Sequence, residues 1–140
     1  MATTTKTAAG PVMAAIYTAL NVAAITSALG CAVYDDVTQG AAFPYLRIST
    51  PSGIPWDTFG KAGKERVIEV HVFSQYRGRK EAQDILDQVI ALLQYQALTI
   101  SGHTTIVVNY EQDLDGEDEE IGGKKTVHKV GLFRVIVQEI

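Results

Sequence analysis

The chain has 140 residues, the size of one ordinary domain, and 46% of them are hydrophobic while 20% are charged. No apolar run approaches the ~20 residues that a membrane helix requires, so the composition excludes a transmembrane protein. Twelve Lys and Arg stand against 16 Asp and Glu, and the net charge of −4 argues against nucleic-acid binding driven by phosphate contacts. The one cysteine, Cys31, cannot form an internal disulfide, and the N-terminus lacks the apolar stretch of a secretory signal, so we expect a protein made in the cytosol.

The beginning of the chain predicts a tail followed by helices. Residues 1–10 are rich in threonine and alanine and have no periodicity, which predicts a flexible tail ahead of a single domain over residues 11–140. After Pro11, apolar residues recur with the spacing of an amphipathic helix. Asn21 is a good N-cap residue, so we expect a break there and a second short helix that ends at Gly30.

The middle of the chain predicts strands and a loop. Residues 32–37 and 44–50 are short β-prone runs on either side of a turn signal, Gln39-Gly40, and we expect the two strands to pair. Residues 51–64 contain several prolines and glycines, and their apolar residues follow neither the helical nor the strand periodicity, which predicts a long loop. Residues 66–76 alternate between an apolar face and a mixed face, which predicts a third strand.

The second half of the chain predicts one helix and two long strands. Residues 78–94 carry a single apolar stripe opposite a polar side, the pattern of a helix that packs on a sheet. Residues 104–110 and 125–140 predict strands joined by an acidic loop. The predicted fold is therefore of the α/β (α+β) class: a mostly antiparallel sheet with two main helices on one face, in the order helix, strands, helix, strands.

The last predicted strand is apolar on both of its faces. One face carries Val130 and its alternate neighbours, and the other carries Phe133, Val135 and Val137. Two helices can cover only one face of such a sheet. We therefore expect Phe133, Val135 and Val137 to be buried by a neighbouring subunit rather than by the chain's own helices.

No motif in the sequence predicts catalysis, a metal or a cofactor. Residues 60–64 imitate a phosphate-binding loop, but four residues do not separate the glycines and Glu65 stands where Ser or Thr is needed. Residues 111–116 imitate the start of a calcium loop, but its twelfth position is Gly122 instead of a bidentate glutamate. The three histidines lie on separate segments, and no serine or cysteine has the signature of an activated nucleophile.

Several segments of the chain, each mostly apolar and loose by itself, follow one another from about residue 12 to residue 140. The segments are IYTALN at 16–21, residues 24–30, VYDDV at 33–37, FPYLRI at 43–48, VHVFS at 70–74, GRKEA at 78–82 and FRVIV at 133–137. Together, in this order, they resemble one phage protein family, the tail terminator or tail completion proteins of long-tailed bacteriophages and of gene transfer agents.

The resemblance implies a structural protein of the virion tail and neck. It implies a homo-oligomeric ring, commonly a hexamer, that caps the tail tube and then joins the tail to the head connector or stopper protein. Double-stranded DNA would pass through this ring without specific binding. Neither an enzymatic activity nor a membrane contact is implied.

Two segments depart from the family pattern and need their own interpretation. Residues 111–120 hold seven acids and no base, which leaves a net charge of +3 elsewhere. They are either a solvated loop or a loop facing the ring channel, where like charge prevents DNA from adhering. The residues that we expect to face the channel are Glu117, Asp118, Glu119 and Glu120. In the loop over residues 51–64, we expect Trp56 and Phe59 to become ordered on contact with the tube or the connector.

Two alternatives stay open from the sequence. One is a small-ligand-binding or enzymatic α/β sandwich domain, with a pocket between sheet and helices. The other is a neck stopper or a tail-assembly chaperone of the same particle. The mass of the protein in solution distinguishes the ring from the first alternative, and the copy number in the particle distinguishes it from the second.

Overall fold

The computed structural model describes residues 7–35 and 41–140. Within these ranges the chain forms one six-stranded sheet in the order β1-β2-β3-β6-β4, with β5 pairing to β6 beyond the end of β4. β1 is parallel to β2, and every other pair is antiparallel. The predicted α+β class is confirmed. The elements are α1 Ala9–Leu20, α2 Ala23–Thr26, β1 Ala32–Tyr34, β2 Tyr45–Pro55, β3 Gly63–Ser74, α3 Lys80–Leu93, β4 His103–Asp115, β5 Glu119–Ile121 and β6 Lys124–Glu139.

The helices pack on one face of the sheet and form the core with it. The apolar stripe predicted on α3 is confirmed, because its spacing of three and four residues keeps those side chains on one side of the helix. α1 packs beside α3 in the same way. Alternate residues of the central strands meet both helices, among them Ile68, Val70 and Val72 of β3, all three fully buried. The helix residues in this core are Val12, Ala15, Ile16 and Leu20 of α1, Ile25 of α2, and Ala82, Ile85, Leu86, Val89 and Leu93 of α3.

The N-terminal prediction is right about the break between helices and wrong in three details. One is that α2 ends at Thr26 instead of at Gly30. α1 begins at Ala9, and Ala8 before it is buried, so the last residues of the predicted tail belong to the domain. Residues 1–6 lie outside the described ranges. Asn21 ends α1 instead of starting α2: its N–H donates to the Tyr17 carbonyl at 2.8 Å, and Val22 is the N-cap of α2.

The pairing of the first two strands is confirmed, and the sheet is extended where a loop was predicted. β1 pairs with the first three residues of β2 in parallel; the turn signal Gln39-Gly40 lies outside the described residues. The long loop over residues 51–64 is wrong, because β2 continues to Pro55 and β3 begins at Gly63 in one hairpin. Proline is tolerated on a strand edge, where its missing N–H has no ladder partner to lose. The end of β2 that carries both prolines pairs only with β3 among the described strands.

Two glycines allow the β2–β3 hairpin to pack closely. A Cβ atom on Gly63 would lie 2.3 Å from the Trp56 carbonyl oxygen and 2.9 Å from the Val137 carbonyl oxygen, and both are backbone atoms. A Cβ atom on Gly53 would collide with the side chain of Arg66, with 2.3 Å to Nη1. The residues that read as loop signals in the sequence are therefore required by contacts inside the sheet.

The predicted acidic loop is in large part a β-hairpin. β4 continues through Asp115, and β5 resumes the pairing with β6 after three residues. The turn between β5 and β6 is Gly122-Gly123, where φ is 61° and 78°, a region that glycine occupies without strain. We call residues 111–125 the acidic hairpin. Basic side chains beside its strands, described below, explain why so many acids can lie in a sheet.

The expectation that a neighbouring subunit buries Phe133, Val135 and Val137 is wrong. All three are fully buried within the single chain, in the core beneath the helices. The register places Phe133 beside Ile68, and a Cβ atom on the adjacent Gly131 would touch the Leu86 side chain of α3. The helices therefore cover this face, and the opposite face of β6 is the one that none of the three described helices covers.

Candidate functional site

The sheet face that points away from the helices carries a continuous stack of rings, which we call the open-face stack. The register sets Tyr45 beside Phe73 and Phe73 beside His128 on neighbouring strands. Their ring centroids are 5.0 Å and 4.4 Å apart, and both pairs are stacked. Tyr34 and Phe43 extend the stack at 5.9 Å and 5.0 Å from Tyr45. Because Tyr45 and Phe73 are buried, the stack is a second, smaller apolar cluster on this face.

Two histidines and a glutamate form a row at the edge of this stack. His71 Nδ1 lies 2.8 Å from His128 Nε2, and His71 Nε2 lies 3.0 Å from Glu69 Oε1. Of the two ring nitrogens that face each other, one must carry the proton and the other must accept it. Burial, and then the neighbouring His71, lowers the pKa of His128, while the charge of Glu119 acts in the opposite direction. The fold therefore favours the neutral form of His128.

We expect the free energy of unfolding to decrease as the pH falls below about 6.5, where an unfolded histidine takes up its proton. The lowered pKa of His128 in the folded chain means that the unfolded state binds this proton first, so acid favours unfolding. His128→Phe keeps a ring on Phe73 and removes the titrating group. Urea unfolding at about pH 7.5 and about pH 5 should then show a smaller pH dependence than in the parent. His103→Gln, outside the stack, is the control; equal pH dependence in parent and His128→Phe would contradict the assignment.

The strand acids of the acidic hairpin are bound by a lysine from β6. Lys129 Nζ lies 2.9 Å from Asp113 and 3.1 Å from Asp115, and the lysine side chain is only 10% exposed. Burial alone would lower the pKa of Lys129, but its hydrogen bonds to both carboxylates raise it. The Tyr110 hydroxyl also donates to Asp113, and this bond, followed by that from Lys129, lowers the pKa of Asp113. Asp113 and Asp115 are therefore ionised carboxylates that take part in a network of hydrogen bonds and ion pairs with Tyr110 and Lys129.

Two more of the seven acids in residues 111–120 form ion pairs, and the remaining three form none within the described chain. Asp118 lies 3.2 Å from Arg79 and 3.3 Å from Lys125, and Glu111 lies 2.9 Å from an Arg134 nitrogen. The other three make no ion pair within the described chain, and all are exposed: Glu117, Glu119 and Glu120. Of the four acids expected to face a channel, Asp118 is thus occupied by internal partners.

The tip of the β2–β3 hairpin presents an exposed aromatic ring. Thr58 and Lys61 exchange two backbone hydrogen bonds of 2.9 Å and 3.0 Å, which close a two-residue turn with Gly60 at φ 88°. Phe59 at this turn is fully exposed, whereas Trp56 at its base is half-buried. The two residues predicted to contact a partner are thus on one hairpin, and only Phe59 projects into solvent.

The chemistry of the described residues is that of packing and ion pairing. Burial raises the pKa of the Cys31 thiol to about 12, so it is not a nucleophile at neutral pH. No group of three or more potential metal ligands occurs among residues 7–35 and 41–140. None of the helices in those ranges is long and apolar enough to span a membrane. The features that stand out are the ring stack, the acidic hairpin and the exposed Phe59.

Comparisons with known proteins connect this fold to phage tails. The model of the family described as tail completion protein gp17 matches residues 3–138, while no curated protein sequence matches. A chain in the virion of a native gene transfer agent (GTA) particle superposes with a TM-score of 0.80 at 21% identity, over 92% of this chain and 96% of the other. The bacteriophage SPP1 gp17 protein superposes with a TM-score of 0.54 at 19% identity, over 90% and 87%.

The two structural likenesses are at low identity and show a common fold. The family match adds sequence evidence, since it spans all three described helices and every described strand except the last residue of β6. It also agrees with the segments from which the resemblance was first identified. The chain therefore belongs to the family of tail completion proteins described as gp17.

Proposed function

We propose that this chain forms a ring that caps the tail tube and joins it to the head connector. The observation that carries the proposal is the family match over residues 3–138, supported by the fold shared with a chain of a gene transfer agent virion. The role is structural: the ring ends tube growth and provides the surface on which the head connector or stopper docks. A hexamer is the proposed stoichiometry, and DNA passes through without specific binding.

Two further parts of this proposal concern the hairpins. Phe59 is the residue through which we propose contact with the tube or the connector, because a fully exposed aromatic ring on a short, hydrogen-bonded turn is a suitable interface anchor. Trp56 supports the base of the same hairpin. The expectation that Glu117, Asp118, Glu119 and Glu120 face the channel also stays a prediction. Only the three unpaired carboxylates support it, because Asp118 is paired with Arg79 and Lys125.

The experiment that tests the ring is the mass of the purified chain by size-exclusion chromatography with light scattering, followed by negative-stain imaging. We expect a closed oligomer that binds the end of isolated tail tubes. Phe59→Ser should keep the oligomer and its thermal stability, because the ring is exposed, and should weaken binding to tubes or connectors. Tyr95→Ser, which removes another exposed ring, is the matched control.

Three outcomes would favour other hypotheses. A monomer that binds a small molecule would support the ligand-binding or enzymatic domain. A ring found at another position in the particle, or a protein absent from the finished particle, would support the stopper or the chaperone. Equal tube binding by parent and Phe59→Ser would remove the hairpin tip from the interface while leaving the ring intact.

A further inference from the structure

A groove of about 460 Å³ lies on the helix side of the sheet, between α1 and residues 97–101. Residues 97–101 run along the β4 edge, where the Thr105 hydroxyl donates to the Leu98 carbonyl at 2.7 Å. None of the described residues that line the groove is charged. Its α1 wall is formed by side chains as small as those of Ala14 and Thr18, both exposed, so the groove is open to solvent. We call it the helix-side groove.

The outer surface of α1 lacks the charges that the solvent side of a helix usually carries. α3 follows the usual pattern, because Lys80, Asp84 and Asp87 are exposed on its outer side. α1 contains no charged residue, and neither does the whole of residues 7–34, although 20% of the chain is charged. Depletion of charge is the composition that distinguishes the centre of a protein interface from other protein surface. The composition therefore favours a protein partner on this side of α1.

A second exposed and uncharged surface lies at the opposite edge of the described sheet. β1 pairs only with the first three residues of β2, so residues 51–55 border the sheet beyond the end of β1. All of them are exposed and uncharged, and Ile54 is 57% exposed. Pro51 and Pro55 lack the N–H that an added strand would need, so a partner would contact this edge through side chains. We call residues 51–55 the proline edge.

Ile54 and the helix-side groove are on opposite faces of the sheet. Arg66 of β3 shares the helix side with Ile68, because strand residues two apart point to the same face. Gly53 lies opposite Arg66 in the register, and a Cβ atom on it would collide with the Arg66 side chain. The next residue, Ile54, therefore points away from the helices. Arg66 also donates to the Thr50 carbonyl at 2.8 Å, which holds this part of β2 in place.

We propose that the helix-side groove of one copy receives Ile54 of a second copy, and that this contact is the boundary between neighbouring subunits of the ring. The inference rests on the proposed ring and replaces the buried β6 residues that the sequence predicted at its interface. The groove and the proline edge lie on opposite faces and at opposite edges of one sheet, so each copy can contact one neighbour through each of them. Such a heterologous contact generates a ring when the rotation closes.

A second copy fits the groove better than other occupants do. A ring built from heterologous contacts requires two different complementary surfaces on every copy, and this chain carries two uncharged ones in that arrangement. The acidic hairpin and the start of α3 are charged, and their charges would lose water in an apolar groove. The proline edge is held by the sheet and by its prolines, so docking costs it little conformational entropy. A tail protein or a small apolar molecule in the groove is an alternative outcome of the test.

Chemical cross-linking tests the contact directly. Ala14→Cys and Ile54→Cys in the same full-length chain place one thiol in the groove and one on the proline edge. In the proposed ring, a short bis-maleimide should link neighbours into a ladder of covalent oligomers that ends at the ring size. The native Cys31 does not interfere, because it is buried and burial raises the pKa of its thiol to about 12. Gln83→Cys with Ile54→Cys, which moves one thiol to the outer side of α3, is the matched control and should give no ladder.

Two charged substitutions test how much the contact contributes to assembly. Ile54→Asp puts a carboxylate on the proline edge, and Ala14→Glu puts one in the groove. Both positions are exposed in the single chain, so circular dichroism and thermal melting should show folded proteins. Each substitution leaves an unpaired charge in an apolar contact, so we expect the concentration for half-assembly, measured by light scattering, to rise about tenfold or more. Gln83→Glu adds the same charge to α3 and should assemble like the parent.

The outcomes distinguish this inference from the proposed ring. A parent that stays monomeric overturns the ring itself. A parental ring whose double-cysteine variant gives no ladder, or whose charged variants assemble normally, overturns the inference alone. Covalent dimers from either single-cysteine variant would indicate a two-fold contact and would also overturn it.

Two further results would assign the groove to another occupant. If Ala14→Glu keeps its ring but no longer binds isolated tail tubes, the groove contacts the tube and the inference is wrong. If the parental ring binds the apolar dye ANS and the Ala14→Glu ring does not, the groove is open to small molecules within the ring, and the inference is again wrong.

Discussion

Val135→Asp is expected to unfold the chain, whether or not it is assembled. The side chain is fully buried in the core between β6 and the helices, and an aspartate there has no polar partner. Burying it unpaired should cost at least about 4 kcal/mol, a large part of the 5–15 kcal/mol by which a domain of this kind is stable. Chemical denaturation at low protein concentration should show most of the stability lost.

The control is Ile106→Asp on β4, where the side chain is 44% exposed and the aspartate can reach water. Its effect should be within about 1 kcal/mol. A Val135→Asp protein that folded as a stable monomer and merely failed to associate would contradict the core assignment. It would support the original expectation that this face is buried between subunits.

Gly63→Ala is expected to destabilise the domain by about 3 kcal/mol, although it adds only one methyl group. The new Cβ atom would lie 2.3 Å and 2.9 Å from the carbonyl oxygens of Trp56 and Val137. Both are backbone atoms on the flanking hairpin and on β6, so relief requires the strands to separate. Loss of stability in urea, together with faster hydrogen exchange of the amides at this end of the β2–β3 hairpin, is the expected result.

Alanine substitutions at two other glycines test whether contact with backbone atoms causes the loss of stability at Gly63. Gly131→Ala would place its Cβ atom 2.6 Å from Leu86 Cδ1, the end of a side chain that can rotate, so about 1 kcal/mol is expected. At Gly10 in α1 nothing lies within 4 Å, and Gly10→Ala should stabilise the helix by about 0.5–1 kcal/mol. If all three substitutions had the same effect, backbone contact would not be the cause at Gly63.

Periodic elements were predictable because their pattern is local. The stripe of α3 and the alternation of β3 follow from the spacing of residues within each segment, and both are confirmed. The β2–β3 hairpin was missed because Pro51, Gly53 and Pro55 are loop signals in isolation. Their place in the sheet depends on a partner strand and, for Gly53, on the Arg66 side chain.

The faces of β6 and the charges of the acidic hairpin could not be assigned from the sequence. Both faces of β6 are apolar, so periodicity alone does not say which one the helices cover. The seven acids form one run, but their partners Arg79, Lys129 and Arg134 lie just before α3 and on β6.

Strand β4 lies at an edge of the described sheet, and a long bare edge invites other copies to add strands without limit. Part of its first half is covered, because the Tyr95 N–H donates to the Val108 carbonyl and the Thr105 hydroxyl donates to the Leu98 carbonyl. Its second half bears Glu111, Asp113 and Asp115. If a second copy paired its own β4 with this edge, these acids would lie beside the same acids of that copy, and like charges would oppose the pairing. The addition of strands from further copies at this edge is thereby disfavoured.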